Sequence, residues 1–140
     1  MQVSQPQDDA PSAIRVASVQ TAPQMGSVAA NVARSLDMVE QAAAQGARLV
    51  VLPELANTGY MFESRAEAYA LAETVPDGPS SQAWIALAQR LNIYLVAGIA
   101  ERSGERLYNA ALIAGPDGYL GPYRKLHLWG DENLFFEPGD

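Results

Sequence analysis

The first half of this sequence alternates short β-branched runs with a long amphipathic segment, and this alternation restricts the possible folds more than any other feature. Residues 14–20 (IRVASVQ) alternate in polarity as a strand does, and residues 47–53 (ARLVVLP) form the continuous apolar run of a strand covered on both faces. Between them, residues 28–44 repeat apolar side chains at three- and four-residue steps, which predicts an amphipathic helix with Ser27 as its N-cap. This order favours a parallel sheet with right-handed crossovers.

The second half adds one more long helix and several hairpin-connected strands. A helix is predicted at about 80–91, capped by Ser80, and residues 93–100 and 107–114 have the composition of strands. Turn-forming residues after each of these strands predict antiparallel neighbours, and residues 119–128 return as extended chain. We therefore expect one α/β domain with a mixed sheet, whose two long helices cover the same face.

Composition excludes several kinds of site and partner. The chain has 140 residues, of which 49% are hydrophobic, so it can bury a substantial core over residues 14–140, with residues 1–13 as a flexible leader. A net charge of −7 without a basic cluster argues against nucleic acid and anionic membranes as partners. With no cysteine and a single histidine, disulfides, thiolate metal sites and multi-histidine metal sites are ruled out. We expect a cytoplasmic protein, because neither a membrane-spanning stretch nor a secretory signal is recognisable.

Two charged positions could carry chemistry, although each also has an ordinary explanation. Glu54 follows directly after a buried strand, where ligands gather in open α/β sheets and where a general base can lie; the alternative is a solvated glutamate. Lys125 lies in an extended segment among aliphatic residues, so it could stabilise an oxyanion or protect an edge strand as a surface lysine. Arg124 would face away from Lys125 in a strand, so one of the two should point inward.

Four further polar or aromatic positions are weaker candidates. Asp131 and Glu132, taken alone, have the pattern of solvated loop carboxylates. His127 lies between two leucines and is interpreted as a hydrogen-bonded structural residue, since no nucleophile motif accompanies it. Tyr60 could line the mouth of a pocket or pack on the sheet.

Taken together, the segments GARLVVLPELANTGY, LYNAALIAGPDG and GPYRKLHLWGDENLFFEPGD resemble, in order and separation, the nitrilase superfamily of carbon–nitrogen hydrolases. The resemblance covers essentially residues 14–140. It implies an α-β-β-α four-layer sandwich, of which this chain supplies roughly the first half. It also implies a small-molecule substrate, no metal or organic cofactor, and a homo-oligomer in the full-length protein.

The resemblance assigns roles to particular residues. The family uses a Glu, a Lys and a Cys, and the first two match Glu54 and Lys125. A further Glu of the family, seven residues before the glycine of the PGD motif, matches Glu132 and not Asp131. Tyr60 would border the substrate opening. The nucleophilic cysteine would lie beyond this chain, so we expect the chain alone to be inactive.

The implied reaction is hydrolysis of a non-peptide carbon–nitrogen bond through a thioester. The YRKLHLW segment is closer to the amidase and N-carbamoyl hydrolase branches than to the true nitrilases, which favours a small amide or N-carbamoyl substrate over a nitrile. An alternative of another class is a non-catalytic truncated homologue that acts as a binding module. If the hydrolase interpretation is correct, Glu54, Lys125 and Glu132 should converge in one pocket.

Overall fold

Within the described residues, five strands form one mixed sheet, in which they lie side by side in chain order. The computed structural model describes residues 13–139, so residues 1–12, where most of the leader was expected, and Asp140 lie outside the described residues. The strands are β1 (Val16–Ser18), β2 (Leu49–Val51), β3 (Tyr94–Ser103), β4 (Arg106–Gly115) and β5 (Gly118–Arg124). Strands β1 to β3 are parallel, whereas β4 is antiparallel to both of its neighbours, as the hairpin turns predicted.

In the part of the chain that the structure describes, three α-helices and one 3₁₀ helix accompany the sheet. They are α1 (Val28–Ala44), α2 (Arg65–Leu71), α3 (Pro79–Leu91) and the 3₁₀ helix Gly130–Leu134. The bounds of α1 are those expected from its periodicity. Within residues 13–139, no helix is both long enough and apolar enough to cross a membrane.

Ser27 occupies the predicted capping position, whereas the cap predicted at Ser80 was wrong and one element was missed. Ser27 is the N-cap of α1, but its side chain makes no capping hydrogen bond. Helix α3 begins after Gly78, so Ser80 lies within its first turn, where its amide and hydroxyl donate to Glu73 at 2.8 and 2.6 Å. The 3₁₀ helix lies in a segment where no further element was expected, because five residues carry too little periodicity to be recognised.

Helices α1 and α3 pack against each other and against the same face of the sheet, as predicted. Val39 of α1 and Trp84 of α3 are fully buried there, together with Val50, Leu95 and Leu112 of the sheet. The Trp84 indole Nε1 donates to Ser35 Oγ of α1 at 2.8 Å, which satisfies a polar group that burial would otherwise penalise. Each fully buried aliphatic side chain here contributes about 1.5–3 kcal/mol.

The opposite face of the sheet is only partly covered. At one end, α2 and the segment around Phe136 form a second apolar cluster with Ala100 and Leu107 of the sheet. Elsewhere on this face the side chains of Val96, Ala111 and Ile113 remain partly exposed, and Tyr123 is 56% exposed. Within residues 13–139 the fold is therefore one helix layer and one sheet, which is half of the expected four-layer sandwich.

Candidate active site

Glu54 is held over the sheet by a close approach of two backbone segments. After β2 the chain crosses β3 at Gly98, and a Cβ atom there would lie 2.3 Å from the Pro53 carbonyl oxygen and 2.5 Å from Glu54 Cα. The Ala56 amide donates to the Gly98 carbonyl at 2.8 Å, which anchors the crossing. Buried Leu55 adopts φ 46°, so the chain turns sharply directly after Glu54. A glycine at position 98 is thus needed to place the carboxylate at this site.

Arg124 and Lys125 are both engaged, on opposite faces of the sheet. Arg124 pairs in register with core residue Ala110, and its guanidinium donates to Glu101 on the helix-covered side at 2.6 and 2.8 Å. It also lies 3.9 Å from the ring centroid of Tyr108. The Lys125 amide continues the ladder by donating to the carbonyl of Asn109 at 2.8 Å, and its side chain takes the other face. As expected for successive residues of a strand, the two side chains point to opposite faces, with Arg124 on the helix-covered side.

The structure brings Glu54, Lys125 and Glu132 together. Lys125 Nζ donates to Glu54 Oε1 at 2.9 Å and to Glu132 Oε1 at 3.0 Å. Glu132 belongs to the 3₁₀ helix, and its Oε2 accepts a hydrogen bond from the Trp129 amide at 2.6 Å. Glu54 and Lys125 are 71 residues apart in the chain, so their contact depends on the tertiary fold alone.

A fourth residue of this cluster, Asn109, was missed by the sequence analysis. It is 3% exposed, and its Nδ2 donates to Glu54 Oε1 at 2.6 Å and to Glu132 Oε1 at 2.7 Å. Both acceptors are carboxylate oxygens, so the amide nitrogen and not its oxygen must face them. The available signal was a polar residue in the middle of the otherwise apolar strand YNAALIA.

Hydrogen bonding outweighs burial in setting the protonation of the cluster. Burial alone would lower the pKa of Lys125, but hydrogen bonds to Glu54 and Glu132 raise it above the usual lysine value. Burial alone would raise the pKa of Glu132, yet bonds from the Trp129 amide, Lys125 and Asn109 lower it. Burial raises the pKa of the Tyr60 phenol, and the neighbouring Glu54 carboxylate adds to this. Near neutral pH the cluster therefore holds an ammonium, an ionised Glu132 and a neutral phenol.

Two adjoining cavities flank the charged cluster, and both are bounded by Glu54 and Lys125. The cavity over the sheet has a volume of about 250 Å³ and a floor formed by Val96, Gly98 and Ala111. The cavity on the other side has a volume of about 370 Å³ and is lined by Tyr60, Met61, Trp129, Asp131, Glu132, Phe135 and Phe136. The geometry thus offers a small, mainly apolar site with a few convergent charged groups, which is typical of small-molecule sites.

The remaining candidates lie apart from the charged cluster or at its edge. Tyr60 is 48% exposed at the rim of the second cavity, and Asp131 is exposed on the same rim. His127 is exposed and so lies outside the buried core. Among the described residues, no three carboxylate or imidazole side chains are grouped as they would be around a metal ion.

Comparison with known proteins agrees with this architecture. Residues 15–140 match the family described as Carbon-nitrogen hydrolase. Over 127 residues the chain is 44% identical to a nitrilase from Pyrococcus abyssi (strain GE5 / Orsay), an alignment that covers 91% of this chain and 48% of that protein. Over 121 residues it is 38% identical to the omega-amidase NIT2 of Homo sapiens, covering 79% of this chain and 42% of that one.

Solved structures show the same fold. A CN-hydrolase superfamily protein from Xanthomonas campestris superposes with a TM-score of 0.79 at 30% identity, covering 91% of this chain and 46% of that one. An N-terminal amidase with an Asn-Glu-Ala peptide superposes with a TM-score of 0.81 at 25% identity, covering 90% and 31%. The chain spans about half the length of the curated relatives named above. By its family match, its identity to these relatives and its fold, this chain belongs to the carbon–nitrogen hydrolase family.

Proposed function

We propose that this chain supplies the acid–base and oxyanion-stabilising groups of an enzyme that hydrolyses a small amide or N-carbamoyl compound. The observation that carries the proposal is the placement of the Lys125 ammonium between the carboxylates of Glu54 and Glu132, at 2.9 and 3.0 Å. This cluster borders two small cavities, and it lies in a chain of the carbon–nitrogen hydrolase family. Perturbed ionisable groups that converge at a cavity are typical of active sites.

In the proposed reaction, Glu54 transfers protons and Lys125 stabilises negative charge. Glu54 accepts the proton of a cysteine thiol, which must come from outside these 140 residues because they contain no cysteine. The thiolate attacks the carbonyl carbon, and the protonated Lys125 stabilises the negative charge that develops on the oxygen. The C–N bond then breaks, and Glu54 returns the proton to the leaving nitrogen. Water, deprotonated by Glu54, hydrolyses the resulting thioester.

Glu132 and Tyr60 have supporting tasks in this proposal. Glu132 holds Lys125 in place, and its Oε2 is itself fixed by the Trp129 amide. Tyr60 borders the second cavity as a neutral phenol, from which it can donate a hydrogen bond to the substrate. Because the pKa of Lys125 is raised, the lysine acts as a fixed positive charge and does not need to exchange protons during turnover.

A nitrile is the second candidate substrate, and the 44% identity to the Pyrococcus abyssi nitrilase favours it. The same thiolate attack on a nitrile carbon places negative charge on nitrogen instead of oxygen. Partial exposure of the apolar sheet face supports either hydrolase over a self-contained binding module, because such a module would cover this surface. Amide, N-carbamoyl and nitrile substrates are therefore to be compared in the same assay.

The test is ammonia release by the whole enzyme with a panel of aliphatic amides, N-carbamoyl amino acids and aliphatic nitriles. The variants Glu54→Gln and Lys125→Met should each lower kcat by about 10²–10³ or more, because each removes a charge used in the transition state. Glu40→Gln is the matched control, since Glu40 forms an exposed ion pair with Arg90 on the helix side. Activity retained in Lys125→Met would contradict the proposal. Which compounds of the panel are hydrolysed decides between an amide or N-carbamoyl substrate and a nitrile.

A further inference from the structure

Two carboxylates share a single ammonium in this cluster, which poses an electrostatic problem. Glu54 and Glu132 carry two negative charges between them, and Lys125 is the only lysine of the sequence. Carboxylates this close disfavour each other's ionised form, so such pairs commonly retain one proton. A shared proton would leave Glu54 or Glu132 neutral. A further hydrogen-bond donor between the two carboxylates adds to the Lys125 ammonium and the Trp129 amide in favouring the state in which both are ionised.

Asn109 provides that donor with both hydrogens of its amide. Its Nδ2 lies 2.6 Å from Glu54 Oε1 and 2.7 Å from Glu132 Oε1, the same two oxygens that accept from Lys125 Nζ. An amide nitrogen donates hydrogen bonds and cannot accept them, so both oxygens must act as acceptors. A proton on either Oε1 would break one of these bonds. The amide thus favours the state in which both carboxylates are ionised, which an apolar side chain of the same size would not do.

Asn109 also contacts the lysine through its backbone. Its carbonyl accepts from the Lys125 amide at 2.8 Å, and on its other side Asn109 pairs in register with Ala100 of β3. One residue in the middle of the sheet therefore fixes the start of the Lys125 side chain and the ends of both carboxylates. Because Asn109 is 3% exposed, bulk water cannot readily replace its amide.

We propose that Asn109 is a positioning residue that holds Glu54 and Glu132 as an ionised pair on one lysine and leaves Oε2 of Glu54 as the proton acceptor. Oε1 of Glu54 already accepts from both Asn109 and Lys125. A proton taken up by Glu54 is therefore directed to its other oxygen. The assignment of Oε2 rests on the proposed function, whereas the ionised pair is a property of the chain itself.

The first test is an NMR titration of the Glu132 side-chain carboxyl carbon in the 140-residue chain. The groups that face Glu132 are Lys125, Glu54 and Tyr60, with Asp131 beside it in sequence. Asn109→Leu keeps the size of the side chain but removes both donors, so the Glu132 midpoint should rise by roughly one pH unit. Asn109→Asp should raise it further, because it adds a third carboxylate. The second variant also keeps the test decisive if the leucine variant fails to fold.

Asn31→Leu is the matched control for the titration. Asn31 is 4% exposed, and its Nδ2 also donates two hydrogen bonds, to the carbonyls of Gln24 and Asn57. Its loss should cost stability without moving the Glu132 midpoint. An unchanged midpoint in a folded Asn109 variant, or an equal shift in Asn31→Leu, would overturn the proposal.

The second test uses the whole enzyme and separates kcat from KM. Asn109→Leu should lower kcat about tenfold or more with little change in KM, and should move the acidic limb of the pH–rate profile upward. An effect confined to KM, or a loss equal to that of Asn31→Leu, would contradict the positioning role. If the whole enzyme hydrolyses none of the compounds, the proposed function fails, while the titration still decides whether Asn109 holds the ionised pair.

Discussion

At the scale of single residues, two glycines allow the charged cluster to form. Gly98 lets the segment carrying Glu54 cross β3 at backbone contact distance. Gly139 plays the same part for the segment carrying Lys125, since a Cβ there would lie 2.5 Å from the Arg124 carbonyl oxygen, and its amide donates to the Lys125 carbonyl at 2.9 Å. Both glycines contribute by having no side chain, which lets two backbone segments approach each other closely.

The substitution Gly98→Ala tests this close approach. The new methyl group would meet backbone atoms of Pro53, Glu54 and Leu55 at 2.3 to 2.7 Å, so the backbone must shift. We expect a loss of about 1–3 kcal/mol in the free energy of unfolding, measured by urea denaturation. Val96→Ala, two residues earlier on the same partly exposed face, should cost less. Equal stability of Gly98→Ala and the unsubstituted chain would show that the Glu54 segment is not held at this distance.

At the scale of secondary-structure elements, the end of β5 connects the core to the site. Arg124 on the helix side is locked by Glu101 and the Tyr108 ring, and the next residue, Lys125, projects to the opposite face. Because successive side chains of a strand alternate, fixing Arg124 also fixes the direction of Lys125. The Arg124–Glu101 ion pair on one face of the sheet thus helps to orient Lys125 toward the charged cluster on the other face.

Removing this ion pair from one side should be costly. In Arg124→Leu, the Glu101 carboxylate, which is 3% exposed, loses its guanidinium partner. Breaking a buried pair in this way costs about 3–5 kcal/mol, and the double variant Arg124→Leu/Glu101→Leu should recover much of that loss. The matched control is Arg90→Leu, which breaks the exposed pair with Glu40 and should cost about 0–1 kcal/mol. Similar losses for Arg124→Leu and Arg90→Leu would refute the structural role.

At the scale of the whole molecule, the described residues form one helix layer and one sheet. Helices α1 and α3 bury one face of the sheet, while much of the other face remains partly exposed next to the charged cluster. The cluster therefore lies on the surface of this chain that a second sheet covers in the four-layer sandwich. In the proposed mechanism, the nucleophile approaches Glu54 from this partly exposed face.

The 140-residue chain by itself is expected to fold but not to hydrolyse amides or nitriles. It contains no cysteine, and removing the nucleophile from a hydrolase that acts through a covalent intermediate can cost on the order of 10⁶ in kcat even when the stabilising groups remain. Ammonia release from the chain and from the cysteine-containing whole enzyme, measured at equal concentration, checks this. Turnover by the 140 residues at rates near those of the whole enzyme would rule out the thioester mechanism.

Local patterns were sufficient to predict most of the helices and strands. The bounds of α1 follow from a helical repeat carried by its own residues, and the positions of the strands along the chain follow from apolar runs and turn residues. The same local reasoning failed at Ser80, whose hydroxyl bonds to Glu73 instead of capping α3. Capping propensity is a weak preference, and the partly buried carboxylate of Glu73 nearby outweighed it.

By itself, the sequence determined the α/β class, the succession of helices and strands along the chain, the common face of the two long helices and, through its resemblance to a family, which charged residues to examine. Only the tertiary structure decided that Lys125 lies between Glu54 and Glu132, and that Asn109 binds both carboxylates. The physical reason is the distance along the chain over which each interaction acts. Periodicity and turn chemistry act over a few residues, whereas the contact between Asn109 and Glu54 joins positions 55 residues apart and exists only after the sheet has formed.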